Sequence, residues 1–286
     1  MKRILFCISI TILLLGAMIA TIYFLQTPDP KQTNTTTQPL GVWWWDNRID
    51  DSYLDFASEN GVTEIYYYVS SFNENIARFI KKANTKQIQV YWLAGKYEWI
   101  ENPSLLQTRM EEYMAFQSTH DVRFAGVHFD IEPHQHPEFE TKRAELLYKF
   151  VDLVYWLNST YKDIYIVYDI PCWLDDEVTY NKTTKPVYAH ILDNANSVTL
   201  MSYRDSAEEI LNFAKDELDY AKQTGKRINL GVETQDVSEN IVSFYEEGNA
   251  YMQQQLNKLR KQIPASYGIA IHYIESWYTL KQKDFT

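Results

Sequence analysis

Phe124-Ala-Gly-Val-His-Phe-Asp-Ile-Glu132 is a short run in which apolar and polar side chains alternate. Side chains of a strand point to opposite faces in turn, so Gly126, His128, Asp130 and Glu132 share one face and Val127, Phe129 and Ile131 the other. An apolar face turned to helices and a polar face carrying two acids is what a strand of a closed barrel requires, with the acids inside. Glu132 ends the run, and Pro133 behind it lacks the N–H that would continue the pairing.

Seven other runs accompany it: Gly41-VWWW-Asp46, Glu64-IYYYV-Ser70, Ile88-QVYWLA-Gly95, Ile164-YIVYDI-Pro171, Ser197-VTLMS-Tyr203, Ile228-NLGV-Glu233 and Tyr267-GIAIHYI-Glu275. Segments of helical period separate them. Ile76, Phe79, Ile80 and Ala83 form one apolar stripe, and Ala144, Leu147, Val151 and Val154 another. Ser206-Ala-Glu-Glu209 is a capping box, expected to open a single helix carrying Ala207, Ile210, Leu211, Ala214 and Leu218 on one face until Gly225 stops it. A further helix is expected to begin after Ser238. Strand and helix alternating eight times over 41–286 predict an α/β fold, a (β/α)₈ TIM barrel, with an open doubly wound sheet as the alternative that gives similar runs.

Ahead of the barrel, Lys2 and Arg3 precede Ile4 to Leu25, 22 residues without a charge. That length spans a bilayer, and the basic flank keeps the N-terminus in the cytoplasm, so 1–25 is expected to be a transmembrane signal anchor. A cleaved secretory signal is the competing reading. Residues 26–40 are polar, contain prolines and have no aromatic ring, which describes a flexible linker. The expected arrangement is a catalytic domain held outside the cytoplasm by the membrane, or secreted if the segment is cleaved.

The chain carries −11, and its first 40 residues hold Lys2, Arg3 and Lys31 against Asp29, a net of +2, so the remainder carries −13. Such a surface repels polyphosphate, which excludes nucleic acid as a partner and favours a neutral or cationic polymer. Cys172 stands alone in the domain and cannot form an internal disulfide. A monomer without a cofactor is expected, since no phosphate-binding glycine loop and no serine nucleophile elbow occurs.

Two carboxyls two residues apart on one face of a partly dry strand cannot both ionise easily, so one is expected to hold its proton and serve as a donor. Aromatic rings make up 15% of the chain, with eight Trp and 22 Tyr. Trp44 or its neighbours Trp43 and Trp45, Trp92, Trp99, Trp173 and Trp277 fall at or just beyond the carboxyl ends of strands, where indoles stack on sugar faces, although some belong to the core. Asp169 and Asp205 are further acids expected on the same rim, as substrate-binding residues or helix caps. His134 and His136 lack a third ligand nearby, so no metal is expected.

Phe124 to Glu132 resembles the fourth-strand signature of glycoside hydrolase family 18, the chitinases, written D-G-x-D-x-D-x-E. Gly126, Asp130 and Glu132 match it, while Ala125 and His128 stand where the family has its first two aspartates. Leu200-Met-Ser-Tyr203 is similar to the family's sixth-strand M-x-Y motif, and Trp277 to the tryptophan that floors its −1 sugar site. The resemblance implies that Glu132 protonates the glycosidic oxygen while the substrate's own acetamido oxygen attacks the anomeric carbon. Asp130 would orient that acetamido group and Tyr203 hold its carbonyl oxygen. His128 is read either as a substitute in the proton relay or as a core histidine.

Two alternatives stand beside this reading. Ile131-Glu132-Pro133 also resembles the acid/base segment N-E-P of retaining barrel glycosidases, whose nucleophile ends the seventh strand where Glu233 lies, so that Glu132 and Glu233 would act as a pair. The departures at Ala125 and His128 are compatible with a barrel that binds carbohydrate without cleaving it.

Overall fold

The computed structural model describes residues 38–46 and 48–283. The anchor expected at 1–25 and most of the linker expected at 26–40 therefore lie outside the described residues. Among the described residues no helix is long and apolar enough to cross a membrane.

Ten strands occur in these residues: β1 (Leu40–Trp44), β2 (Glu64–Tyr68), β3 (Gln89–Ala94), β4 (Gly126–Phe129), β5 (Ile166–Pro171), β6 (Glu177–Tyr180), β7 (Thr183–Pro186), β8 (Ser197–Met201), β9 (Arg227–Glu233) and β10 (Gly268–His272). Eight of them close a parallel barrel in the order β1, β2, β3, β4, β5, β8, β9, β10 and back to β1. The barrel begins at Leu40, and Gln38 before it donates its side-chain amide to the carbonyls of Arg260 and Ile263, so the last residues of the expected linker already belong to the domain.

Helices fill the connections: α1 (Asp51–Glu59), α2 (Glu74–Thr85), α3 (Pro103–Thr119), α4 (Phe139–Thr160), α5 (Val187–Asn194), α6 (Ala207–Phe213), α7 (Lys215–Thr224), α8 (Gly248–Arg260) and α9 (Ile274–Lys283). Local sequence fixes their starts. Asp50 accepts the Ser52 N–H ahead of α1, Asn73 those of Asn75 and Ile76 ahead of α2, and Ser206 that of Glu209 ahead of α6. Gly225 ends α7 in the left-handed conformation at φ 69°, which costs a residue without Cβ nothing.

Two features differ from expectation. The helix opened by Ser206 breaks at Ala214, whose φ of −95° and ψ of 14° leave the helical region, and the turn buries Glu217 and Ala221 while Leu218 stays half-exposed. Between β5 and α5 an antiparallel hairpin, β6–β7, turns at Asn181 and Lys182, both at positive φ. Its strands alternate too weakly in hydropathy to be recognised as strands.

Strict alternation divides the barrel. Val42, Trp44, Tyr67, Trp92, Val127, Phe129, Tyr168, Leu200 and Ile271 face outward and merge with the helix stripes, including Phe79, Leu147 and Val154, into one core. Trp43, Tyr66, Tyr91, Leu93, Val167 and Ala270 form a separate cluster inside. The amino end of the interior is plugged by an ion pair: Arg227 Nη2 lies 2.5 Å from Glu64 Oε1, the Tyr66 hydroxyl donates to Glu64 Oε2, and Asn229 donates to that hydroxyl. Buried charge is tolerable when so paired and bonded.

At the carboxyl end Gly95 follows β3 where the chain of Asp130 passes closest. The Asp130 N–H donates to the Ala94 carbonyl at 3.0 Å, and a Cβ on Gly95 would fall on the Asp130 carbonyl oxygen. Gly95→Ala must separate the two strand ends. It is expected to lower stability by roughly 1–3 kcal/mol, measured as the shift in a thermal or urea transition. An unchanged transition would contradict the close approach.

Candidate active site

The turn after β4 delivers two acids to the interior. Val127, Phe129 and Ile131 are buried in the outer core, so the intervening Asp130 and Glu132 point the other way. Pro133 opens a single helical turn, and the next residues fold back over the acid. Gln135 donates its side-chain amide to Glu132 Oε2, and His134 Nε2 stands 3.5 Å from Glu132 Oε1. Trp173, 38% exposed, packs edge-on against His134 with ring centres 5.0 Å apart, beside the Arg143 guanidinium.

Beneath them β5 contributes Asp169, only 2% exposed. Trp43 Nε1–H donates to its Oδ2 at 2.9 Å, and His128 Nε2 lies 2.6 Å from its Oδ1. His128 is fully buried and stacks on Tyr66 with ring centres 3.8 Å apart. Burial pushes the imidazole down to about 3. The short contact therefore joins a neutral histidine to a carboxyl and is not an ion pair.

These acids perturb one another. Burial, followed by the charges of Asp169 and Glu132, holds the Asp130 carboxyl well above the usual carboxylate range. Burial also raises Asp169, against the opposing effects of the Trp43 hydrogen bond and His272. Glu132 is raised to about 7, first by burial and then by Asp169, with His272 acting in the other direction. Burial raises the Tyr203 hydroxyl, and the carboxylates of Glu233, Asp169, Asp130 and Glu132 push the same way. One phenol thus stands in the field of four acids contributed by three strand ends, a clustering common where proton transfer occurs.

The far wall is built differently. Cα register pairs Glu233 at the end of β9 with His272 at the end of β10, so both face inward. Glu233 Oε1 accepts the N–H groups of Thr234 and Gln235, and its Oε2 lies 2.8 Å from His272 Nδ1. Trp45 Nε1–H donates to His272 Nε2 at 3.0 Å, which assigns the remaining imidazole proton to Nδ1, facing Glu233. The His272 ring packs on Trp43 and Tyr203, with centres 5.5 and 5.8 Å away.

Sequence position misplaced several rings. Trp44 and Trp92 are fully buried on the outer face, Trp44 against Tyr53 and Phe79 and Trp92 against Tyr113, because even positions of β1 and β3 turn to the helices. Trp277 is also no floor for a sugar. It is 1% exposed in α9, donates to Asn249 Oδ1 and packs on Phe56, inside the helix layer. Trp43 in β1 and Trp45 just after it are the tryptophans that reach the site, and Tyr68 and Tyr273 are half-buried neighbours of the same inner cluster. Applying to β1 and β10 the alternation used for β4 selects Trp43, Trp45 and His272.

Asp205 lies apart from the central acids. Its N–H donates to Ile241, and the charges acting on it are Glu209, Arg204 and Glu246. His134 and His136 diverge, the second pairing with Glu101 at 3.1 Å. Among the described residues no three His, Cys, Asp or Glu side chains converge as a metal set. A cavity of about 480 Å³ lined by Arg48, Ser71, Asn73 and Lys82 contains none of the acids described above.

Neither a family model nor a curated protein sequence matches the chain. Solved structures do resemble it. A GH18 chitinase from Pseudoalteromonas aurantia superposes with a TM-score of 0.56 at 12% identity, over 87% of this chain and 98% of that one. A variant of the glycoside hydrolase domain of PelA from Pseudomonas aeruginosa gives 0.50 at 11% identity, over 84% and 97%. A doubly substituted GH18 chitinase from Cycas revoluta in complex with (GlcNAc)4 gives 0.50 at 10%, over 87% and 100%. The fold is thus a TIM barrel similar to that of GH18 chitinases, carrying at its carboxyl end a buried cluster of carboxyls beside a tyrosine.

The raised Glu132 carries a stability consequence. An unfolded glutamate ionises near 4.5 and Glu132 near 7, so the folded state binds its proton more tightly. That advantage is complete below the lower value and is lost as pH rises through the upper one. Glu132→Gln removes the cost of ionising the buried group. It is expected to raise the melting temperature at pH 8, by up to about 1–3 kcal/mol of stability, and to leave it nearly unchanged at pH 4. Equal effects at both pH values would contradict the shift.

Proposed function

We propose that the chain is a glycoside hydrolase cleaving an N-acetylated polysaccharide or oligosaccharide, with Glu132 as general acid and the substrate's acetamido oxygen as nucleophile. The observation that carries this reading is the convergence of Asp130, Glu132, Asp169 and Tyr203 at the carboxyl end of the barrel, close enough for each acid to act on the tyrosine. Glu132 keeps its proton to about pH 7 and is the partly exposed acid, its side chain 14% accessible, so it can reach a leaving oxygen. Asp130 has a buried Oδ1 with no partner among the described residues, which suits an acetamido N–H from the ligand. The Tyr203 hydroxyl would hold the acetamido carbonyl as it attacks. Trp45, Tyr68 and Tyr273 supply half-buried ring faces for the sugar.

Similarity to GH18 chitinases, one of them holding (GlcNAc)4, supports the substrate class. The apolar run Ile4 to Leu25 supports action outside the cytoplasm, at a membrane or after secretion. The alternative pairing of Glu132 with Glu233 is less favoured because each oxygen of Glu233 has two partners, the Thr234 and Gln235 N–H groups on Oε1 and His272 Nδ1 and the Gln235 side-chain amide on Oε2, which occupies the lone pairs a nucleophile would use.

The test compares β-linked N-acetylglucosamine oligomers with glucosamine and plain glucose oligomers as substrates of the full chain, with Glu132→Gln and Glu233→Gln alongside. Cleavage is expected for the N-acetylated series alone, falling as pH rises through about 7. Glu132→Gln should reduce it by roughly 10²–10⁴-fold, and Glu233→Gln should reduce it much less. Cleavage indifferent to the acetamido group, with both variants equally inactive, would transfer the reaction to the two-carboxylate pair. Tight binding of every oligomer without turnover would make the barrel a lectin.

A further inference from the structure

The chain lacks the first two acids of the fourth-strand signature, yet its interior is not short of carboxyls, because β5 supplies one. We infer that Asp169 is the resident negative charge of the site and the positioning residue for Glu132, that Trp43 and His128 hold that charge, and that Asp130 is its protonated neighbour. This inference rests on reading Glu132 as the acid.

Donors decide where a charge can reside, since N–H groups pointed at a carboxylate favour its ionised form. Asp169 has two of them, one on each oxygen. The imidazole tautomer follows from what lies around His128. Its Nδ1 is buried and has no partner among the described residues, so a proton there would be an orphaned donor, whereas a proton on Nε2 is used in the bond to Asp169. Stacking on Tyr66 holds the ring in the plane that makes this contact. Asp130, by contrast, keeps one oxygen without any donor and is surrounded by Asp169 and Glu132, a place where a carboxylate is costly and a carboxylic acid is not.

The groups acting on this set come from every wall. Trp43 is on β1, His128 is on β4 with Asp130 in the turn after it, and His272 is on β10. Tyr203 follows β8, Glu233 ends β9, and His134 lies in the loop over Glu132. No lysine or arginine is among the charges acting on Asp130, Glu132 or Asp169. With no lysine or arginine to compensate it and only His272 acting in the other direction, the fixed charge on Asp169 opposes ionisation of Glu132. When the leaving oxygen takes up the Glu132 proton, the carboxylate that forms faces the Asp169 charge, so Glu132 gives up its proton only to an acceptor that holds it strongly. Asp169 therefore acts on the reaction through Glu132 and need not touch the sugar.

Titration of the full chain labelled with ¹³C-carboxyl glutamate tests this without any substrate, the Glu132 resonance being identified by its loss in Glu132→Gln. The wild-type midpoint is expected at about 7. Asp169→Asn should lower it by about one pH unit or more, Trp43→Phe should lower it less, and Asp130→Asn should leave it nearly in place because that group is already neutral. A midpoint unmoved by Asp169→Asn, or lowered more by Asp130→Asn, would overturn the assignment. If Asp169→Asn fails to fold, as judged by near-ultraviolet circular dichroism, Trp43→Phe reads the same charge, and an unmoved midpoint there overturns it equally. Absence of turnover by the wild type would reject the glycosidase reading and leave the titration result standing.

Discussion

Three carboxyls are held in a nearly dry space with no lysine or arginine acting on them, and much of the interior can be understood as the means of tolerating that. Removing charge from water is among the costliest operations in folding, and it is usually relieved by a cation. The amino end of this barrel takes that route with Glu64 and Arg227. The carboxyl end does not. There, neutral donors do the work: the Trp43 indole and the His128 imidazole, with His272 at a distance. Large rings exclude water around them, and Gly95 lets the Asp130 backbone close against β3. Stability is reduced locally so that a proton can be held near neutral pH, a trade frequent at functional sites.

How much of this was legible depended on one rule. Alternation along β4 separated Asp130 and Glu132 from Val127, Phe129 and Ile131, and the structure keeps them on opposite faces. The same rule, not applied to β1 and β3, distinguishes Trp43 from Trp44 and Tyr91 from Trp92, so those errors came from judging rings by nearness to a strand end. Trp277 could not be placed in that way. It lies in α9, a few residues beyond β10, and a helix turns its side chains through 100° per residue, so the inner face it was expected to reach was already left behind. The contact of Asp169 with His128 joins positions 41 residues apart and follows from barrel closure, which no local pattern encodes.

The break at Ala214 and the β6–β7 hairpin were invisible for another reason. Both are decided by tertiary packing: Glu217 turns inward against its own solvation preference, and the hairpin lies along α4, where Tyr180 bonds to Asp152. Fold-level similarity persists at 10–12% identity because it asks only for the outer apolar parity and the lengths of the elements. The inner residues are not bound by that requirement, and here they include histidine and indole.

The plug formed by Glu64, Tyr66, Arg227 and Asn229 fills the amino end of the barrel interior with groups bonded to one another. Glu132 lies at the opposite end of the interior from those bonded groups, beneath Gln135 and His134 and beside the loop that carries Trp173. Exchange of the Glu132 proton with solvent is therefore expected to be set by the loop at the carboxyl end and not by the bonded groups at the amino end.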